Sequence, residues 1–131
     1  MRRKDLNWST VAKILVVDDD DAVRALLRLV FSRQGHEVHE AGDGRVALRL
    51  FEEVKPDLVI TDLVMPDKEG LETIRELRRR DTKVPIIAMS GGGRSQGGDY
   101  LKMAKAMGAN HTLSKPLSVD KLPGVIDSLL N

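Results

Sequence analysis

Asp62 closes a short apolar run, Leu58 to Ile60, that opens with Pro56-Asp57 and is followed by Leu63-Val64-Met65-Pro66. The run is brief, β-branched and introduced by turn formers, which predicts a strand buried on both faces. Asp62 then stands at its C-terminal edge, where open α/β sheets bind their ligands. A carboxylate there can be a nucleophile, a metal ligand or a helix cap. A second acidic group, Asp18-Asp19-Asp20-Asp21, directly follows another apolar run, Lys13 to Val17. Four like charges in a row usually form a solvated turn. Here they sit between a buried strand and a helix, so some of them reach the same sheet edge, and Asp20 or Asp21 can cap the helix. Ser90 ends a third run, Val84 to Met89, and Lys115-Pro116 follows a fourth, Asn110 to Ser114.

Carboxylates gathered at one edge repel one another, and a hard divalent cation relieves this. Mg²⁺ accepts one or two carboxylates, keeps several waters and bridges to phosphate oxygens. A hydroxyl and an ammonium at the same edge complete a set suited to phosphoryl transfer onto an aspartate. Each residue alone is weak evidence. Their placement at the ends of successive strands is specific.

The elements that must position them alternate. Strand 1 covers Lys13 to Val17. A helix from about Asp21 to Gln34 carries an apolar stripe of Val23, Leu26, Leu27 and Val30 and ends at Gly35. His36 to Ala41 is a strand, and a helix from about Asp43 to Glu53 turns Val46, Ala47 and Leu50 inward. After the Asp62 strand, a helix from Lys68 or Glu69 to Arg80 turns Leu71, Ile74 and Leu77 inward. Its terminal Arg78-Arg79-Arg80 complements the helix dipole on a solvated face, with a basic docking patch as the alternative. Strand 4 follows over Val84 to Ser90. A glycine-rich loop, Gly91 to Gly98, precedes a helix from Asp99 to Met107 that ends at Gly108. The last helix runs from Val119 to Leu130 with Ser118 as cap, and Pro123-Gly124 should kink or delay it.

Repeated βα units with right-handed crossovers give a parallel sheet covered on both faces. In the flavodoxin-like order 2-1-3-4-5, taken from known doubly wound folds, strands 1 and 3 are neighbours at the switch point. Asp18 and Asp19 then converge with Asp62.

The 131 residues suit one domain, with residues 1–12 as a polar extension and 13–131 as the domain. Trp8, the sole Trp, either docks on the domain or lies in a disordered tail. No cysteine is present, which excludes disulfides and thiolate chemistry and fits a reducing cytoplasm. A net charge of +1 calls for neither nucleic acid nor an anionic membrane, and 3% aromatic residues are too few for base stacking. There is no signal peptide and no membrane-length apolar run. The glycine loop lacks P-loop spacing, and His36, His39 and His111 show no ligand spacing.

Taken together, Ile-Leu-Val-Val-Asp18-Asp19-Asp20, Asp57-Leu-Val-Ile-Thr-Asp62-Leu-Val-Met-Pro66, Glu69-Gly70, Ser90 and Lys115-Pro116 resemble the receiver domain of bacterial two-component response regulators, over about residues 12–131. The resemblance implies that Asp62 accepts a phosphoryl group from a histidine kinase or phosphotransfer protein. It implies that Mg²⁺ (or Mn²⁺) is held by Asp19, Asp62 and the Val64 carbonyl, with Asp18 acting directly or through water. Lys115 would pair with the phosphoryl group, Ser90 would hydrogen-bond one of its oxygens, and Lys115-Pro116 would be cis. A downstream protein would bind the face of helix 4, strand 5 and helix 5, residues 99–107 and 111–128, on a monomer or weak homodimer.

Some positions depart from the family pattern. Thr112 stands where an aromatic switch residue is common, and Tyr100 is a candidate substitute. Val64 rather than an acid/base Asp follows Asp62 by two positions, which argues against a Mg²⁺-dependent aspartyl phosphatase. A phosphorylation-independent scaffold has no need of the full acidic, hydroxyl and ammonium set. With no output domain expected after helix 5, output is expected through protein binding or onward phosphotransfer, unless the chain is an excised receiver. Val64 and Gly92, two residues after Asp62 and Ser90, cannot hydrogen-bond a hydrolytic water. The acyl phosphate should therefore hydrolyse slowly. A half-life of only seconds after removal of the phosphodonor would contradict this.

Overall fold

A computed structural model describes residues 11–63, 69–90 and 102–130, the side chain of Glu69 apart. Its elements are β1 (Lys13–Val17), α1 (Asp21–Arg33), β2 (Glu37–Ala41), α2 (Gly44–Val54), β3 (Leu58–Asp62), α3 (Glu69–Arg80) and β4 (Ile86–Ser90), then helix α4 over 102–107, β5 (His111–Ser114) and α5 (Leu122–Leu130). All strand pairs are parallel, in the order β2-β1-β3-β4-β5. This is the flavodoxin-like sheet expected from the sequence.

Strand side chains alternate between two cores. Leu15, Val17, Val59, Ile86 and Ala88 pack with α2, α3 and Ala104. Ile14, Val16, Leu58, Ile60, Ile87 and Met89 pack with Leu27 and Phe31 of α1 and with Leu122 and Ile126 of α5. Both faces of β1, β3 and β4 are therefore dry, which is why these strands read as continuous apolar runs.

Local signals set the boundaries. Asp20 caps α1, accepting from the N–H groups of Ala22 (2.8 Å) and Val23 (3.4 Å). Gly35, at φ 87°, closes it, and the His36 N–H returns to Phe31 O at 3.1 Å. Asp43 caps α2, and Lys55, at φ 54°, ends it. Leu26 departs from the expected stripe and is 36% exposed. It lies about a quarter turn from Leu27, and Phe31 fills the core instead. Helix α5 begins at Leu122, so Pro123 falls in the first turn, where its missing N–H is tolerated. Ser118 does not cap this helix; its carbonyl accepts from the Lys121 N–H (3.0 Å) in the turn before it. Arg78 is not merely solvated. Its guanidinium donates to Gly108 O (3.0 Å), Asp81 O (3.1 Å) and Asn110 Oδ1 (2.7 Å). Residues 1–10, with Trp8, lie outside the described residues, as do the Gly91–Gly98 loop and Tyr100.

One glycine sets how closely α3 meets β3. A Cβ at Gly70 would lie 2.4 Å from Asp62 O and 2.5 Å from Leu63 Cα. Backbone cannot yield cheaply, so Gly70→Ala should cost about 1–3 kcal/mol in urea unfolding. Gly124 in α5 has nothing within 4 Å of a built Cβ. Gly124→Ala should stabilise by about 0.5–1 kcal/mol. Equal effects of the two substitutions would contradict this account.

Candidate functional site

The ends of β1 and β3 carry the acidic residues to one place. Ile14 to Val17 pair with Leu58 to Thr61, so Asp18 and Asp62 leave adjacent strands side by side. Ligand oxygens of Asp18, Asp19 and Asp62 all lie within 4.8 Å of one another. Asp18 is fully buried, Asp62 is 3% exposed and Asp19 faces solvent. Asp18 is held firmly: Oδ1 accepts from the Asp20 N–H at 2.9 Å and Oδ2 accepts from Lys115 Nζ at 2.7 Å.

Lys115 arrives from the end of β5 over the same edge. Its Nζ lies 3.4 Å from Asp62 Oδ2 as well, so one ammonium spans two carboxylates. Burial alone would push this ammonium's pKa down. The hydrogen bond it donates to Asp18 and the charges of Asp62 and Asp18 outweigh that and hold it above the usual lysine value. Lys115-Pro116 is cis, as the family resemblance implied.

Ser90 ends β4 beside them, 1% exposed. Its Oγ is buried and makes no hydrogen bond among the described residues. An unpaired buried hydroxyl costs about 1–3 kcal/mol, and Ser90 Oγ is free to donate to an acceptor at this edge. Its backbone is shared with the lysine strand, since the Lys115 N–H donates to Ser90 O at 2.8 Å and Ser90 pairs with Ser114.

The donors here are carboxylate oxygens, which fit a hard divalent cation rather than a soft metal. The Val64 carbonyl lies outside the described residues. Asp18, Asp19, Asp62, Ser90 and Lys115 all come to one edge, as the sequence implied. Sequence reading missed Arg24, whose guanidinium donates to Asp18 O at 2.7 Å. Its spacing of three residues from Asp21 on one helix was the available signal.

A 2-1-3-4-5 parallel sheet with an acidic cluster, a lysine and a hydroxyl at its C-terminal edge defines a receiver. The chain belongs to the response regulator receiver domain family, whose profile matches residues 14–127. It is 34% identical over 127 residues to the regulatory protein AtoC of Escherichia coli, covering 93% of this chain and 26% of that protein. It is 30% identical over 118 residues to sporulation initiation phosphotransferase F of Bacillus subtilis, covering 90% of this chain and 93% of that one. The chain thus spans about a quarter of AtoC but nearly all of the sporulation phosphotransferase. Among solved structures it is similar to the chemotaxis response regulator CheY4 of Vibrio cholerae, with a TM-score of 0.81, 30% identity, and coverage of 92% of this chain and 99% of that one.

Lys115→Met would leave Asp18 buried without its counter-ion. The cost of breaking such a pair should be about 2–3 kcal/mol, below the fully buried case because Lys115 keeps some solvent access. The elevated lysine pKa means that the pair stabilises fully below the free value of 10.5 and is lost only as pH rises through the higher folded value. Denaturant unfolding should show a constant wild-type advantage from neutral to mildly alkaline pH that narrows above 10.5. No loss in the variant, or an advantage that fades near neutrality, would contradict the pairing.

Proposed function

We propose that this chain is a phospho-accepting switch: Asp62 takes a phosphoryl group from a histidine kinase or phosphotransfer protein, and the change is read by another protein. The observation that carries this reading is the convergence of Asp18, Asp19 and Asp62 ligand atoms within 4.8 Å, beside a Lys115 ammonium 2.7 Å from Asp18.

In the transfer, an Asp62 carboxylate oxygen attacks phosphorus. The bond from phosphorus to the donor breaks, and its electron pair leaves with the donor group. Asp19, Asp62 and the Val64 carbonyl would hold Mg²⁺ or Mn²⁺, with Asp18 direct or through water. When bound, such an ion neutralises phosphoryl oxygens and aligns them for in-line attack. Lys115 moves its charge from Asp62 toward the new phosphoryl oxygens, and the Ser90 hydroxyl gains the acceptor that its buried position lacks. Phosphorylation adds about −1.5 to −2 charges. Through the Ser90–Lys115 backbone bond it biases β5 between two states.

Output is assigned to α4, β5 and α5, where Met103 is 46% exposed and Val119, just before α5, is 40% exposed. On the same reading, residues 1–12 are an extension and 13–131 the receiver, which acts in the cytoplasm as a monomer or weak homodimer and binds neither nucleic acid nor membrane. None of the described helices is long and apolar enough to cross a membrane. The chain's own catalysis is limited to its phosphorylation and dephosphorylation.

Acetyl phosphate with Mg²⁺ should add the mass of one phosphoryl group to the wild type and none to Asp62→Ala. Chelation of Mg²⁺ should abolish the adduct. Equal labelling of both proteins would place the acceptor elsewhere. Labelling of neither, on folded protein, would favour a phosphorylation-independent scaffold.

A further inference from the structure

Arg24 lies outside the set that sequence and family assign to the site, yet its guanidinium is spent on that site's backbone. Nη1 donates to Asp18 O at 2.7 Å, Nη2 pairs closely with Asp21, and Nε lies 3.4 Å from Glu40 Oε1. Arg28 holds the other oxygen of Glu40 at 2.5 Å. The Arg24 side chain is 19% exposed, so it is packed in place rather than waving in solvent. The carbonyl it grips belongs to the peptide joining Asp18 to Asp19. Edge strand β2, helix α1 and the acidic turn are thereby tied through one side chain.

We infer that Arg24 is a positioning residue for the divalent cation site: it fixes the Asp18–Asp19 peptide so that both carboxylates face the cation, and Glu40 orients Arg24. This rests on the phosphorylation reading above, and it goes against simple electrostatics. A positive charge beside a cation site should weaken binding of that cation, so its removal should tighten binding. A positioning role demands the opposite. Outer partners that orient metal ligands typically carry about ten- to a hundredfold in affinity.

The test is Mg²⁺ titration of the folded chain, read by NMR shifts and by thermal unfolding. Arg24→Met should weaken Mg²⁺ binding about tenfold despite the lost positive charge. Arg24→Lys, which keeps the charge but cannot reach three acceptors at once, should also weaken it. Glu40→Gln, which weakens the hold on the Nε side of the Arg24 guanidinium, should weaken it by a smaller factor. Tighter or unchanged Mg²⁺ binding in Arg24→Met, with a folded variant, would overturn the inference. If Arg24→Met fails to fold, Arg24→Lys and Glu40→Gln decide it: wild-type affinity in both overturns it. Absence of Mg²⁺ binding by the wild type would instead overturn the underlying functional reading.

Discussion

The structure depends on holding like charges together at a place where water is scarce. Asp18 is fully buried and Asp62 nearly so, with the exposed Asp19 close enough for all three to share one ligand point. A single ammonium, Lys115, spans two of them. One ammonium cannot offset three carboxylates, and the fold must be stable enough to hold them together. The two dry cores on either side of β1, β3 and β4 provide that stability.

The same cores give the site its precision. Each acidic residue leaves a strand whose register is fixed by neighbours on both sides, since a one-residue slip would turn every apolar side chain to the wrong core. Gly70 brings the first turn of α3 against the Asp62 and Leu63 backbone, and no other residue type fits there without moving it. On the far side, Arg78 ties the end of α3 to Gly108 and Asn110, whose Oδ1 also accepts from the Ile86 N–H at 2.8 Å. The turn from α4 into β5 is thus anchored at its base, while the top of β4 and β5 carries Ser90 and Lys115.

Much of this was legible in the sequence, for a physical reason. Strands buried on both faces must be continuous apolar runs, so the residues that end them stand out as charges and hydroxyls. The reading placed Asp18, Asp19, Asp62, Ser90 and Lys115 at one edge, and the structure brings them to one edge. It failed where a side chain's partner is remote in sequence. Leu26 falls on the expected helical stripe yet is 36% exposed, while Leu27 and Phe31 carry the packing of α1 against the sheet. Arg78 looked like a surface charge because Gly108 and Asn110, about thirty residues on, could not be placed beside it. The late start of α5 at Leu122 follows from Pro123, which fits a first turn better than a second.

The most direct test of the central claim is thermal unfolding of the wild type and Asp19→Asn, each with EDTA and with millimolar Mg²⁺. If converging carboxylates repel until a cation joins them, Asp19→Asn should melt above the wild type in EDTA. Mg²⁺ should then raise the melting temperature of the wild type and barely move that of the variant. A variant that melts below the wild type in EDTA, or Mg²⁺ shifts that are equal in both, would contradict the account.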